Sequence, residues 1–151
     1  MTGVQTCALP ISTGQNNTAN GYSALYYNTT GQNNTANGYQ ALSSNTTGQY
    51  NTTNGDYTLS SNITGSGNIA IGTEALYSAT GVDFQTAVGY QALRNSTTGY
   101  ANSALGYRSL YSNTTGYWNT AIGYSALTSN TTGIINTANG YTALYSNTTG
   151  F

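Results

Sequence analysis

Apolar positions in this chain are sparse and evenly spaced. Leu stands at 25, 42, 59, 76, 93, 110, 127 and 144, and Gly at 21, 38, 55, 72, 89, 106, 123 and 140, each column advancing by 17 residues without a slip. Asn, Thr, Ser and Tyr fill the intervals, so that "NTANGYSALYYNTTGQN", from Asn17, recurs as a related segment starting at 34, 51, 68, 85, 102, 119 and 136. The eight copies share the consensus N-T-A-x-G-Y-x-A-L-x-S-N-T-T-G-x-x. A fixed period that tolerates substitution but no insertion predicts that each copy is one turn of a stack, aligned with the turns above and below. One local variation occurs at "SATGVDFQ", where Gly81 comes one place early and Val82 takes the usual Gly position; the spacing recovers by Gly89.

The residues indicate the kind of turn. Thr, Tyr and Ile favour strands, whereas Asn, Gly and Ser favour turns. The helix-like piece "ALYS" is too short to nucleate. "NTTG" predicts a turn whose Gly takes positive φ. Thr18 to Leu25 reads as one or two short strands bent at Gly21. The predicted fold class is therefore all-β, a parallel β-solenoid or β-roll of eight 17-residue coils, each with two short strands and two turns. At ~4.8 Å per coil the stack would be a rod of about 38 Å.

Three ladders are expected to hold it. The structural ladder residues are the Gly and Leu columns, represented by Gly21, Leu25, Gly38, Leu42, Gly72, Leu76, Gly123 and Leu127. Each buried Leu contributes about 1.5 to 3 kcal/mol. Small residues (Ala24, Ala41, Thr58, Ala75, Ala92, Ser109, Ala126, Ala143) run beside the Leu column. Asn17, Asn34, Asn51, Asn68, Asn102, Asn119 and Asn136 form an amide column with Gln85 as its one substitute. Against an ordering cost of about 1 to 2 kcal/mol per residue, one Leu and two Ala per coil make a thin core. That deficit predicts lateral packing of chains, with a homotrimer as the expected partner state.

Composition narrows the chemistry. Charged residues are 3% of the chain, and Leu, Ile, Val and Phe together are 22 of 151 residues. From Thr13 onward there is no Cys, Met, Pro, His or Lys, and the charges are Asp56, Glu74, Asp83, Arg94 and Arg108. Two Arg cannot neutralise a phosphate backbone, so no nucleic-acid partner is expected. No segment approaches the apolar length of a membrane helix, so no direct membrane insertion is expected. Without His, no catalytic triad can be assembled, and no metal, cofactor or catalytic residue is assigned.

The first twelve residues, "MTGVQTCALPIS", stand apart. They hold the only Cys (Cys7), Pro (Pro10) and Met (Met1), and they share nothing with the repeat. As a secretory signal the stretch is poor: no positive charge precedes the apolar run, and the run is short. It resembles the translation of a sequencing-adapter oligonucleotide read from a GTG start, matching from Met1 to Ile11. The expected organisation is an adapter-derived segment over 1–12, outside the fold, and a β-solenoid repeat domain over 13–151, truncated at both ends.

Two segments carry a family resemblance. "GSGNIAIGTEAL" (Gly65 to Leu76) resembles the N-S-x-A-I-G turns in the heads of trimeric autotransporter adhesins. "NTAIGYSALTSNTTG" (Asn119 to Gly133) resembles repeat arrays of bacteriophage tail-fibre proteins. In such heads each chain is a parallel β-roll and three chains pack laterally, which implies a fibre and an extracellular location, on a virion tail or a bacterial surface. Departures are visible: the repeat here is longer than the adhesin one, and the position of the adhesins' inward Val or Ile is mostly Thr (Thr18, Thr35, Thr86, Thr120, Thr137, with Ile69 the exception). The residue before Gly is apolar at Ile71, Val88, Leu105 and Ile122 but Asn at 20, 37, 54 and 139, so the middle coils are expected to pack more tightly.

Candidate surface contacts are the column Tyr22, Tyr39, Tyr90, Tyr107, Tyr124 and Tyr141, with a second Tyr column at 26, 77, 111 and 145. Exposed aromatic rows suit sugars or host polymers, and suit an interchain interface or supporting packing as well. The variable column from Ser23 through Gln40, Tyr57, Glu74, Gln91, Arg108 and Ser125 to Thr142 is expected to be exposed. Asp56, Glu74 and Asp83 read as solvated acids rather than a carboxylate pair for hydrolysis. "NTT" at Asn28, Asn45, Asn113, Asn130 and Asn147 matches a glycosylation sequon, and the same residues also build a turn. The expected function is non-catalytic: a structural and attachment segment of a trimeric fibre, meeting a host surface glycan or protein. The alternatives are a single-chain ice- or crystal-binding solenoid using Thr rows, and a disordered low-complexity tract.

Overall fold

The computed structural model describes residues 13–151; the segment assigned to adapter sequence lies outside them. Eight three-residue strands follow one another, one per coil: β1 (Thr18–Asn20), β2 (Thr35–Asn37), β3 (Thr52–Asn54), β4 (Ile69–Ile71), β5 (Thr86–Val88), β6 (Ser103–Leu105), β7 (Thr120–Ile122) and β8 (Thr137–Asn139). They form one parallel sheet in sequence order. The register is strictly one repeat, Thr18 on Thr35, Ile71 on Val88, Ile122 on Asn139. The chain is thus a parallel β-solenoid, and no helix occurs among the described residues.

Each coil has one strand, not two. The wall opposite the sheet is built from turns, yet its backbone is bonded between coils just as the strands are. Leu25 N–H donates forward to Ala41 O (3.1 Å), whereas Gln40 N–H donates back to Tyr22 O (2.8 Å). Isolated left-handed residues help this wall donate in both directions. The columns of Ser23, Leu25 and Asn33 hold φ between 49° and 59° in every coil where the residue is not Gly. Each such residue costs about 1 to 2 kcal/mol, which burial of the Leu side chain offsets.

The interior is narrow and largely amide-filled. Leu25 through Leu127 are at most 2% exposed, beside Ala24 and its equivalents and the strand-centre Ala36, Ala70, Ala87, Ala104, Ala121 and Ala138. Two Asn ladders complete it. In the first, Asn51 Nδ2 donates to Asn34 Oδ1 (3.1 Å) and Gly65 O (2.9 Å), while Asn51 Oδ1 accepts from Asn68 N–H and Nδ2 (3.0 Å each). In the second, Asn62 Nδ2 donates to Asn45 Oδ1 (2.8 Å) and Gly65 O (3.0 Å). No buried side-chain N or O among the described residues lacks a partner. These bonds, each worth about 0.5 to 1.5 kcal/mol net, supplement the thin apolar core from within. The core deficit alone therefore no longer requires lateral association.

The Gly of "NTTG" is not a positive-φ residue. Gly31, Gly48, Gly116 and Gly133 lie outside the left-handed region, and what excludes a side chain is space. A Cβ on Gly116 would run into Asn113 Oδ1 and the Gly133 carbonyl. The left-handed glycines are the Gly21 column, at φ 114° to 138°, where the chain leaves each strand, and Gly67, at φ 70° in the Asn33 column. The same packing accounts for "SATGVDFQ". Ala79 stands where other coils have Asn, and Val82, buried, stands in the Gly column. In the next coil Ser96 replaces Asn again, and Gln85, one methylene longer than Asn, reaches Ser96 Oγ (3.3 Å) and Gly99 O (2.7 Å).

Candidate functional site

Strand alternation decides which side chains meet solvent. With the strand-centre residue inward, Ala in seven strands and Thr53 in β3, its two neighbours point outward. This reverses two sequence expectations. The Thr18 column faces out, and so does the column before Gly: Ile71, Leu105 and Ile122 are 39%, 49% and 41% exposed, and Val88 is half-buried. These residues do not tighten the core of the middle coils. They form an apolar column on the outer sheet face across β4–β7, while the same column in β1–β3 is Asn20, Asn37 and Asn54.

The Tyr22 column borders that face. Tyr22 and Tyr39 stack with centroids 5.3 Å apart; Tyr90, Tyr107, Tyr124 and Tyr141 continue at 5.5, 4.7 and 5.2 Å with planes within 17°. Ring faces are turned toward each other, so solvent meets mainly edges and hydroxyls. Asp56 and Thr73 interrupt the stack. Tyr57, from the adjacent column, stands edge-on to Tyr39 at 5.2 Å and Tyr77 at 6.4 Å.

The variable column is not exposed as expected. Gln91 and Ser125 are buried and the rest are half-buried, because the left-handed backbone tucks them against neighbouring coils. Three members are bonded in series: Gln91 Nε2 donates to Glu74 Oε2, and Arg108 Nε to Gln91 Oε1, both at 2.7 Å. Arg94 Nε joins at Glu74 Oε2, also 2.7 Å. The Arg94 and Gln91 donors hold the Glu74 carboxyl below the usual carboxylate range, and Glu74 in turn raises Arg94. Arg94 lies over the Tyr77 ring, and Arg108 over Tyr107 and Tyr111.

The other carboxylates bond backbone. Asp56 Oδ1 accepts Tyr39 N–H (2.9 Å) and Asp83 Oδ1 accepts Ser66 N–H (2.7 Å). Asn147 is half-buried, whereas the other four sequon residues, Asn28, Asn45, Asn113 and Asn130, are buried. The Nδ2 of each donates to the Gly carbonyl three residues on, so the folded coil withholds the nitrogen that a glycan would take.

One cluster was not legible as a site in the sequence. It occupies the two places written x-x in the consensus, separated from the strand by the one Asn that follows them. Tyr100 and Tyr117 stack at 4.9 Å with planes 5° apart, and Trp118 stands perpendicular to both at 5.8 and 5.2 Å. Trp118 and Phe84, in one column with Ala101 between them, are 54% and 70% exposed. The available signal was the change of those two places from Gln and Asn in the first coils to aromatic or aliphatic residues in the later ones.

No known protein family, curated protein or solved structure matches this chain.

Proposed function

We propose that the chain is a non-catalytic structural and attachment segment of a trimeric extracellular fibre, of the kind found in a bacteriophage tail or a bacterial surface adhesin. The observation that carries this reading is the outer sheet face. It is uncharged along β4–β7, it places Ile71, Val88, Leu105 and Ile122 in a straight apolar column, and it belongs to a regular stack. Chains related by an axis parallel to the stack would set that column against its own copies, and an apolar column is compatible with itself where a charged one is not. Beside it, the Tyr22 column and the Trp118 corner remain for a host surface glycan or protein, where weak repeated contacts add by multivalency.

The test is the solution mass of the chain by light scattering coupled to size exclusion. The proposal expects three times the 15.7 kDa chain mass, falling to the monomer when Leu105 and Ile122 are both changed to Asn. A compact monomer for the parent chain would refute it. A second reading, binding to ice or a crystal face, draws on the outward Thr18, Thr35, Thr52, Thr86, Thr120 and Thr137. Thermal hysteresis of the monomer would favour it.

A further inference from the structure

Trp118 sits where the fold gives least reason for a Trp. Its column is left-handed throughout, a conformation that suits Gly or Asn, as at Gly67, Asn16 and Asn33. Trp118 adopts it at φ 56° and Phe84 at φ 56°, and both stay largely in solvent. Neither backbone preference nor core packing explains them. Their placement is nonetheless definite: the indole is held edge-to-face by Tyr100 and Tyr117, and the Phe84 ring lies over Gly67, its Cδ1 2.8 Å from where a Cβ there would sit.

We propose that the corner formed by Tyr100, Tyr117 and Trp118 is a binding site for neutral polysaccharide, with pyranose rings lying on the exposed aromatic surface. The proposal rests on the attachment reading and names the class of ligand this part of the surface takes. Rigid aromatic side chains give amphipathic contact area at low entropic cost, which suits a sugar ring with an apolar face and a polar rim. Unlike the Tyr22 column, Trp118 has no parallel ring among the described residues stacked on it. The charge in the two columns that form the corner is Asp83, next to Phe84. A carboxylate can accept from sugar hydroxyls and repels phosphate, while both Arg lie in the Glu74 cluster. The chemistry therefore favours an uncharged hydroxylated polymer over nucleic acid, whose binding needs cations.

Trp118 is the chain's only Trp, so its fluorescence reports this corner alone. The full chain is titrated with galactomannan, xyloglucan and dextran, with polygalacturonate and phosphatidylcholine vesicles as controls, and its mass is recorded in the same samples. A saturable change in emission with at least one neutral polymer is expected. Trp118→Ala should lose retention in affinity gels containing that polymer by at least tenfold, and Trp118→Phe should keep most of it, with far-ultraviolet circular dichroism unchanged in both. Silence toward all three polymers overturns the proposal, as does equal retention of Trp118→Ala. A response confined to vesicles, to polygalacturonate or to rising protein concentration also overturns it, assigning the corner to lipid, an acidic polymer or a second copy. A trimer with silent Trp118 defeats the sugar site and spares the fibre reading; a monomer with responsive Trp118 does the reverse.

Discussion

The exchange of Asn and Gly for Ala79 and Val82 is a paired substitution, and its coupling can be worked from the packing. Elsewhere the Asn amide fills the space above the Gly, as Asn62 does with bonds to Asn45 Oδ1 (2.8 Å) and Gly65 O (3.0 Å). Ala79 leaves that space empty and Val82, 1% exposed, takes it. Val82→Gly removes three buried carbons, about 2.4 kcal/mol at ~0.8 per group, and adds about 0.5 to 1 kcal/mol of backbone entropy. Ala79→Asn alone drives an amide into Val82, an overpacking cost of about 1 to 3 kcal/mol. Together the two changes restore the ordinary coil, with Asn at 79 donating to Asn62 Oδ1 and the carbonyl of residue 82. The double variant should lie within about 1 kcal/mol of the parent, a coupling of about 3 kcal/mol or more between neighbours. Urea unfolding of the four proteins measures it. Additivity of the two losses within about 0.5 kcal/mol would refute the packing argument.

Three further outcomes follow from the same geometry. Gly116→Ala should destabilise by about 1 to 3 kcal/mol, since its Cβ meets Asn113 Oδ1 and the Gly133 carbonyl, whereas Gly81→Ala, which meets only Thr64 Oγ1 at 3.0 Å, should cost far less; paired denaturation curves decide. Asn51→Asp should lose at least about 3 kcal/mol at neutral pH, because an oxygen replaces the donor to Asn34 Oδ1 and Gly65 O, and should recover part of that in acid, where the carboxyl can donate once; urea midpoints at the two pH values test this. Glu74 titrates lower in the fold than in the unfolded chain. Its contribution is therefore complete above the unfolded value of about 4.3 and disappears as pH falls through the depressed folded value. Glu74→Gln should remove that part of the acid limb, about 0.2 to 1 kcal/mol since both ion-pair side chains are about a quarter exposed.

The period, the parallel solenoid and the Leu25 and Asn17 columns were legible because each repeats a distinctive residue every 17 positions. Which way a column faces was harder to read. Thr18 was matched to an inward position by resemblance and Ile71 was expected to tighten the middle coils because it is apolar, but the strand-centre Ala already fills the interior, and alternation then sends both neighbours out. Left-handed Leu25 was hidden for a different reason: Leu has no preference for positive φ, and the conformation is imposed by bonding between coils. The second Asn column, beginning at Asn28, was read as a turn because its role depends on contacts 17 residues away. At the candidate surface, the Tyr22 column was visible as a repeat, while the Trp118 corner was not, since only some coils carry it.

Parallel in-register stacking at 17 residues underlies every point above, and methyl contacts measure it most directly. Ile71, Val88, Leu105 and Ile122 form one outward column on β4 to β7 in which every neighbouring pair differs in residue type. With strands ~4.8 Å apart, methyl-labelled protein should show nuclear Overhauser contacts from Ile71 to Val88, Val88 to Leu105 and Leu105 to Ile122 at one protein per particle as well as in any assembly. Absence of these three contacts, or strong contacts at another spacing, would contradict the solenoid.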